Sequence, residues 1–220
     1  MNWMQKHALV ALTEHEDGQL SALKPANVES NLFSYHLNNL IHDGYVLRDG
    51  HQYKLSPLGK QLAGVINVDS GSVRLQAKIV SMIIAQNEKK EYLLFKWQRQ
   101  PFYGQISFPY GKSDFNKSIW QNVQEEIDKK TSLVGIPKYM GDCYVLYREN
   151  GICISHMLVH VFKLIKFTGT AESKVRTGST FWANPNNLAK ESFAPGFFEI
   201  LQSFNANSLC NLQEFIIDKK

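Results

Sequence analysis

The sequence predicts an α+β protein of two domains, with helices leading in the first and strands in the second. Three observations carry this. Residues 3–66 set helical apolar spacing beside one Asp-Gly hairpin signal. A small polar segment follows at 67–75, around Asn67 to Ser72. From residue 76, apolar runs of strand length surround one amphipathic helix at about 118–130. The expected boundaries are therefore 1–66, a linker at 67–75, and 76–220, which suits a chain of 220 residues.

In the first domain, Trp3, Met4, His7, Ala8, Leu9, Ala11 and Leu12 recur at helical spacing, and Asp17-Gly18 ends that helix. Gln19 to Leu23 starts a short element, and Lys24-Pro25-Ala26-Asn27 turns the chain. Ser30 to His42 is the clearest helix, with Leu32, Phe33, His36, Leu37, Leu40 and Ile41 on its buried side. Asp43-Gly44 stops it, glycine suiting the left-handed cap. Tyr45 to Leu47 and Gln52 to Leu55 read as strands around the Arg48-Asp49-Gly50-His51 turn. Ser56-Pro57-Leu58-Gly59-Lys60 opens a last short helix.

Helix, short helix, longer helix and a two-stranded wing is the order of a winged helix-turn-helix. Residues 3–66 resemble the winged-helix domains of bacterial transcription regulators. The resemblance implies a recognition helix at about 28–42 exposing Ser30, Asn31, Ser34, Tyr35 and Asn38. Asparagine can read adenine in the major groove. Arg48, His51 and Lys54 of the wing would meet phosphate. Against DNA, the helix carries no Lys or Arg, Glu29 would repel phosphate, and phosphate contacts dominate affinity. The other reading is a docking or dimerisation module, as in a homodimer.

In the second domain, Gln76 to Gln86 and Tyr92 to Trp97 read as a hairpin around the polar turn Asn87 to Glu91. Pro137 to Tyr147 and Cys153 to Phe167 read as two long strands around Arg148 to Gly151. His156 and His160 sit four apart on the second, about 13 Å along the rise, too far to share a metal. They are expected to be core or pocket-wall residues. Trp182 is expected to pack, and Pro195 to Phe204 to close the fold as a helix.

Between the hairpin and the long strands lies ISFPYGKSDFNKSIWQNVQEEIDKKTSLV, residues 106–134. A short strand meets Pro109-Tyr110-Gly111-Lys112, then a polar loop and the helix. Ile119, Trp120, Val123 and Ile127 give that helix an apolar stripe. The layout resembles the Nudix box: Gly, five residues, Glu, seven residues, Arg-Glu-apolar, one residue, Glu-Glu, one residue, Gly, apolar. Counted from Gly111, Glu126, Ile127 and Leu133 match. Lys117, Lys129 and Lys130 stand where the motif has glutamate, Glu125 where it has arginine, and Ser132 where it has glycine. Residues 76–206 thus resemble a Nudix α/β/α sandwich, giving an α+β chain with a winged helix in front.

Nudix hydrolases cleave diphosphates linked to a second group. Their helix carboxylates hold Mg²⁺ or Mn²⁺, hard cations that want oxygen ligands. A protonated lysine cannot ligate them. The resemblance therefore leaves three readings open. In the first, Arg99, Gly111, Lys112, Lys117, Lys129 and Lys130 bind the diphosphate of a nucleotide-type small molecule directly. A regulator or sensor would result, with no cofactor. In the second, Glu126 with Asp114 or Asp128 keeps an atypical Mg²⁺ or Mn²⁺ site and hydrolysis. In the third, the Glu125–Lys129 and Glu126–Lys130 spacings are an ordinary charged helix face on an interaction module.

Charge distribution favours an anionic ligand in the second domain. Residues 1–70 carry five Lys/Arg against seven Asp/Glu, and 71–220 carry nineteen against thirteen. No apolar run reaches the roughly 18 residues of a membrane span. The N-terminus lacks a cleavage signal and is expected to be a helix of the mature protein. Cys143, Cys153 and Cys210 form no close pair, which fits a reduced, cytoplasmic protein.

Overall fold

Asn2 starts the first helix, α1 (Trp3–Thr13), through a reciprocal cap with Gln5. A two-residue strand, β1 (Gly18–Gln19), leads into α2 (Leu20–Leu23) and then α3 (Ser30–His42). β2 (Val46–Asp49) and β3 (Gln52–Leu55) form the hairpin, and β1 joins it on the far side of β3. α4 (Pro57–Ala63) follows. Its Ser56 hydroxyl accepts from Gly59 N at 2.9 Å and donates to Gly44 O. A Cβ on Gly59 would collide with the Tyr45 carbonyl, so Ser-Pro-Leu-Gly locks the helix onto the end of α3. Ala8, Leu9, Leu12, Leu23, Phe33, Leu37, Leu40, Val46 and Tyr53 make one core. Leu32, expected on the buried side, is 44% exposed. It flanks Phe33 on α3, and the narrow stripe of Phe33, Leu37 and Leu40 already fills the contact with α1.

This computed structural model describes residues 1–14, 17–67, 72–171 and 174–219. The chain divides into two units, Met1–Leu75 and Gln76–Lys220. The centre of the expected linker, residues 68–71, lies outside the described residues.

The second unit is built on two sheets. β4 (Lys78–Ile84), β5 (Tyr92–Trp97), β6 (Ile106–Ser107) and β7 (Tyr110–Lys112) precede α5 (Ile119–Lys130). β8 (Ser132–Glu149) and β9 (Ile152–Thr170) are the two long strands. β10 (Lys174–Val175), β11 (Gly178–Ala183), α6 (Phe197–Asn205) and β12 (Gln213–Lys219) complete the unit. One sheet has the order β12-β8-β9-β4-β7, the other β10-β11-β5-β6. β4 runs parallel to β9, and β12 parallel to β8, inside an otherwise antiparallel sheet. A core of Val80, Met82, Ile84, Leu94, Phe108, Val145, Val159 and Phe197 fills the space between the sheets and α6. A second, with Ile83, Leu93, Val123, Ile127 and Phe162, lies under α5.

Ser118 caps α5, its hydroxyl accepting from Gln121 N at 3.2 Å and Gln121 answering on Ser118 N at 2.8 Å. The expected apolar stripe is only half right. Val123 and Ile127 are fully buried, but Ile119 and Trp120 are 39% and 55% exposed. Asn122, Glu126 and Lys130 take the inner face instead. Asn122 explains the first of these, since it accepts from Asp114 N at 2.8 Å and donates to Ser118 O at 3.0 Å. It thereby ties the helix to the loop that precedes it.

Candidate ligand-binding site

Lys129 and Lys130 are neighbours at the end of α5, but the helix turns one outward and the other into the protein. Lys130 Nζ lies 3.0 Å from Glu126 Oε2, one helical turn back, and donates to the Tyr110 carbonyl. It stands over the rings of Trp97 at 4.8 Å, Phe95 at 5.1 Å and Tyr110 at 5.6 Å. Aromatic faces attract a cation. Burial pushes the Lys130 pKa down, and the Glu126 carboxylate opposes that. Glu126 is held from the other side by Gly111 on β7, where a Cβ would fall within the carboxyl group. Gly111 pairs with Ser81 of β4, so the edge strand of the sheet lies directly against the carboxylate that faces the ammonium.

This pair borders a cavity of about 560 Å³. Among the described residues, six cations line it: Lys78 from β4, Arg99 after β5, Lys112 of β7, Lys129 and Lys130 of α5, and Arg176 in the β10–β11 turn. Two carboxylates, Asp114 and Glu126, stand against them. Trp97, Phe102, Tyr110 and Met157 supply apolar wall. A concave, partly apolar site with convergent charged groups is the usual form of a small-molecule pocket.

Of the residues expected to bind phosphate, Arg99, Gly111, Lys112, Lys129 and Lys130 therefore share one cavity. Lys117 does not line it. Its ammonium donates to Glu125 at 2.7 Å and to Asp114 at 2.9 Å. Glu125 also accepts from Lys129 at 2.9 Å. The hydrogen bond from Lys117 holds the Glu125 carboxyl below the usual carboxylate range. Glu125 in turn raises Lys117. Asp128 points away from the cavity and accepts from Gln124 at 2.9 Å.

The structure was matched against known proteins. No family model and no curated protein matches the sequence. Solved structures do. A MutT Nudix hydrolase of Burkholderia pseudomallei superposes with a TM-score of 0.50 at 18% identity, over 58% of this chain and 98% of its own. The MutT protein of Methanosarcina mazei Go1 gives 0.51 at 19% identity, over 62% and 99%. The Nudix domain of Shewanella oneidensis NrtR, complexed with ADP-ribose, gives 0.50 at 12%, over 61% and 90%. Met1–Leu75 is too short to hold such a match, which falls on the second unit. That unit has the Nudix fold.

The Mg²⁺ or Mn²⁺ that the Nudix resemblance implies does not fit the residues present. The Glu126 carboxylate faces an ammonium at 3.0 Å, its buried Oε2 making no hydrogen bond, and Asp114 gives one oxygen to Lys117 at 2.9 Å. Among the described residues, no group of three or more His, Cys, Asp or Glu is placed to hold a metal ion. Lys117 and Glu125, which the resemblance sets against glutamate and arginine of the motif, pair with each other at 2.7 Å.

Lys78, Trp97, Tyr110 and Arg176 join the cavity without having been expected there. They come from four separate segments, and pairing in the two sheets brings them together. The histidines of β9 do not line it. His160 Nδ1 lies 2.7 Å from Asp142 Oδ1, and His156 packs edge-on against Tyr144. Trp182 stacks on Phe167, as its packing role requires. Burial pushes the Cys143 thiol up to about 12, and all three cysteines are free.

The first unit has a groove of its own, about 580 Å³, between α3 and the hairpin. Ser30, Ser34 and Asn38 line it with Lys24, Arg48 and His51. Asn31, Tyr35 and Lys54 are exposed outside it. Arg48 Nε donates to Gly50 O at 3.0 Å, which holds the guanidinium at the hairpin tip. Among the described residues, no helix is long and apolar enough to cross a membrane.

Proposed function

We propose that the Nudix-fold unit binds a nucleoside-diphosphate-type ligand without hydrolysing it, and that the N-terminal unit is a winged helix that passes occupancy on to DNA. The observation that carries the first part is the buried Glu126–Lys130 pair at the wall of a cation-lined cavity. An ammonium stands where hydrolysis would need a metal ligand, and the surrounding cations suit phosphate. The NrtR Nudix domain, which shares the fold, is complexed with ADP-ribose. That makes ADP-ribose the first ligand to try.

The test is calorimetric titration of the full chain with ADP-ribose, ADP and inorganic diphosphate, beside a hydrolysis assay in Mg²⁺ or Mn²⁺. Binding with no turnover is expected. Turnover that Glu126→Gln abolishes would replace this reading with an atypical hydrolase. No binding of any of the three would remove the ligand altogether.

The winged-helix reading rests on the order of α1, α2, α3 and the β2–β3 hairpin, and on the polar groove that Asn38, Arg48 and His51 share. Arg48 is its strongest phosphate contact. Arg48→Ala is expected to weaken DNA binding about equally on all sequences and to reduce the slope of log K against log salt by about 1. A gel-shift or anisotropy series across salt measures this. An unchanged slope would leave the unit as a docking or dimerisation module. Addition of ADP-ribose should shift the same DNA isotherm.

A further inference from the structure

We infer that the cavity takes its phosphate ligand as the metal-free anion, and that Mg²⁺ acts as an antagonist of binding. This rests on the ligand-binding reading above and extends it to the form in which the ligand arrives.

A nucleotide in Mg²⁺ brings a divalent cation seated on its phosphate oxygens. A site that accepts the complex must offer that cation oxygen ligands or space away from other positive charge. This cavity offers neither. Glu126 already faces the Lys130 ammonium at 3.0 Å, with its carboxyl group seated in the space that Gly111 leaves open. Lys130 cannot swing aside to make room. The Tyr110 carbonyl accepts from it, and three aromatic rings surround it. Asp114 is engaged by Lys117. The remaining groups that converge are Lys78, Arg99, Lys112, Lys129 and Arg176, all of which repel a second cation. The same groups supply the charge that Mg²⁺ would otherwise bring to a diphosphate. Ligand and metal therefore compete: each Mg²⁺ bound to the diphosphate removes a ligand the site can use.

The experiment is calorimetric titration of the full chain with ADP and with inorganic diphosphate, at matched ionic strength, in EDTA and then in MgCl₂. With Mg²⁺ set so that about a tenth of the ligand stays metal-free, the apparent Kd should rise roughly tenfold, because only the competent fraction binds. Equal or tighter binding in Mg²⁺ would overturn this inference and leave the ligand-binding reading standing. Absence of binding in both conditions would overturn that reading and this inference with it. Lys129→Glu changes the exposed rim, where folding tolerates it. It should weaken binding in EDTA and narrow the ratio between the two conditions, since it gives Mg²⁺ an oxygen ligand beside Glu126. A ratio equal to the parent's would overturn the assignment of this cavity.

Discussion

Glu126→Ala should be the most damaging single change in the second unit. It removes the carboxylate and leaves Lys130 buried without a counter-charge. Breaking a buried pair from one side costs about 3–5 kcal/mol. For a chain of this size that lowers the melting temperature by roughly 6–20 °C. The pH dependence has a definite sign. Burial already lowers the folded pKa of Lys130, and Glu126 raises it again. Without Glu126 the folded value falls further below the ordinary lysine value of about 10.4. Between the folded value and that ordinary value, the unfolded chain holds the proton and the folded chain does not. Stability therefore rises with pH through that window. The deficit of Glu126→Ala should be full at lower pH and shrink as pH climbs toward the lysine range. Thermal denaturation at about pH 7 and about pH 9.5 measures it. A deficit that does not change with pH would mean that Lys130 finds another partner.

Gly111→Ala should rank second, and by a different route. The added methyl falls inside the Glu126 carboxyl group, which has Lys130 on its other side. Overpacking of this kind costs about 1–3 kcal/mol, and the upper end applies because the group that must move is itself paired. The melting temperature should drop by roughly 6–10 °C, measured by circular dichroism or dye fluorescence. Ligand affinity should fall with it, since displacing Glu126 releases the ammonium from its place. Gly111→Ala at parental stability would show that the carboxylate has room to retreat, and would weaken the case for a rigid pair.

Much of the fold could be read from local pattern, because local chemistry made it. Ser118 and Gln121 cap α5 where the sequence puts a helix start, Ser56-Pro57 opens α4, and Asp49-Gly50 turns the first hairpin. What escaped was set by partners distant in the chain. β12 exists because it lies parallel to β8, about seventy residues earlier, and β7 because it closes on β4. Neither has alternation long enough to announce itself. The site divides in the same way. Spacing found the lysines of 106–134, because one helix and one turn carry them. It could not tell that Lys117 leaves the cavity for Glu125, or that Lys78 and Arg176 enter it. Helical spacing also set Trp120 on the apolar stripe, where the structure has Asn122 and Glu126 turned inward instead.

The two ion pairs along α5 have unequal consequences. Coulomb attraction depends on the product of two charges, and a product is unchanged when both signs reverse. Lys117 and Glu125 would attract equally with their signs exchanged, and at 2.7 Å their contact is close. Lys130 has no such compensation on the ligand's side. Among the described residues, its one charged partner is Glu126, 3.0 Å away, and both line the cavity. The outer pair thus balances its own charge away from the cavity wall, while the inner pair sets an ammonium at that wall.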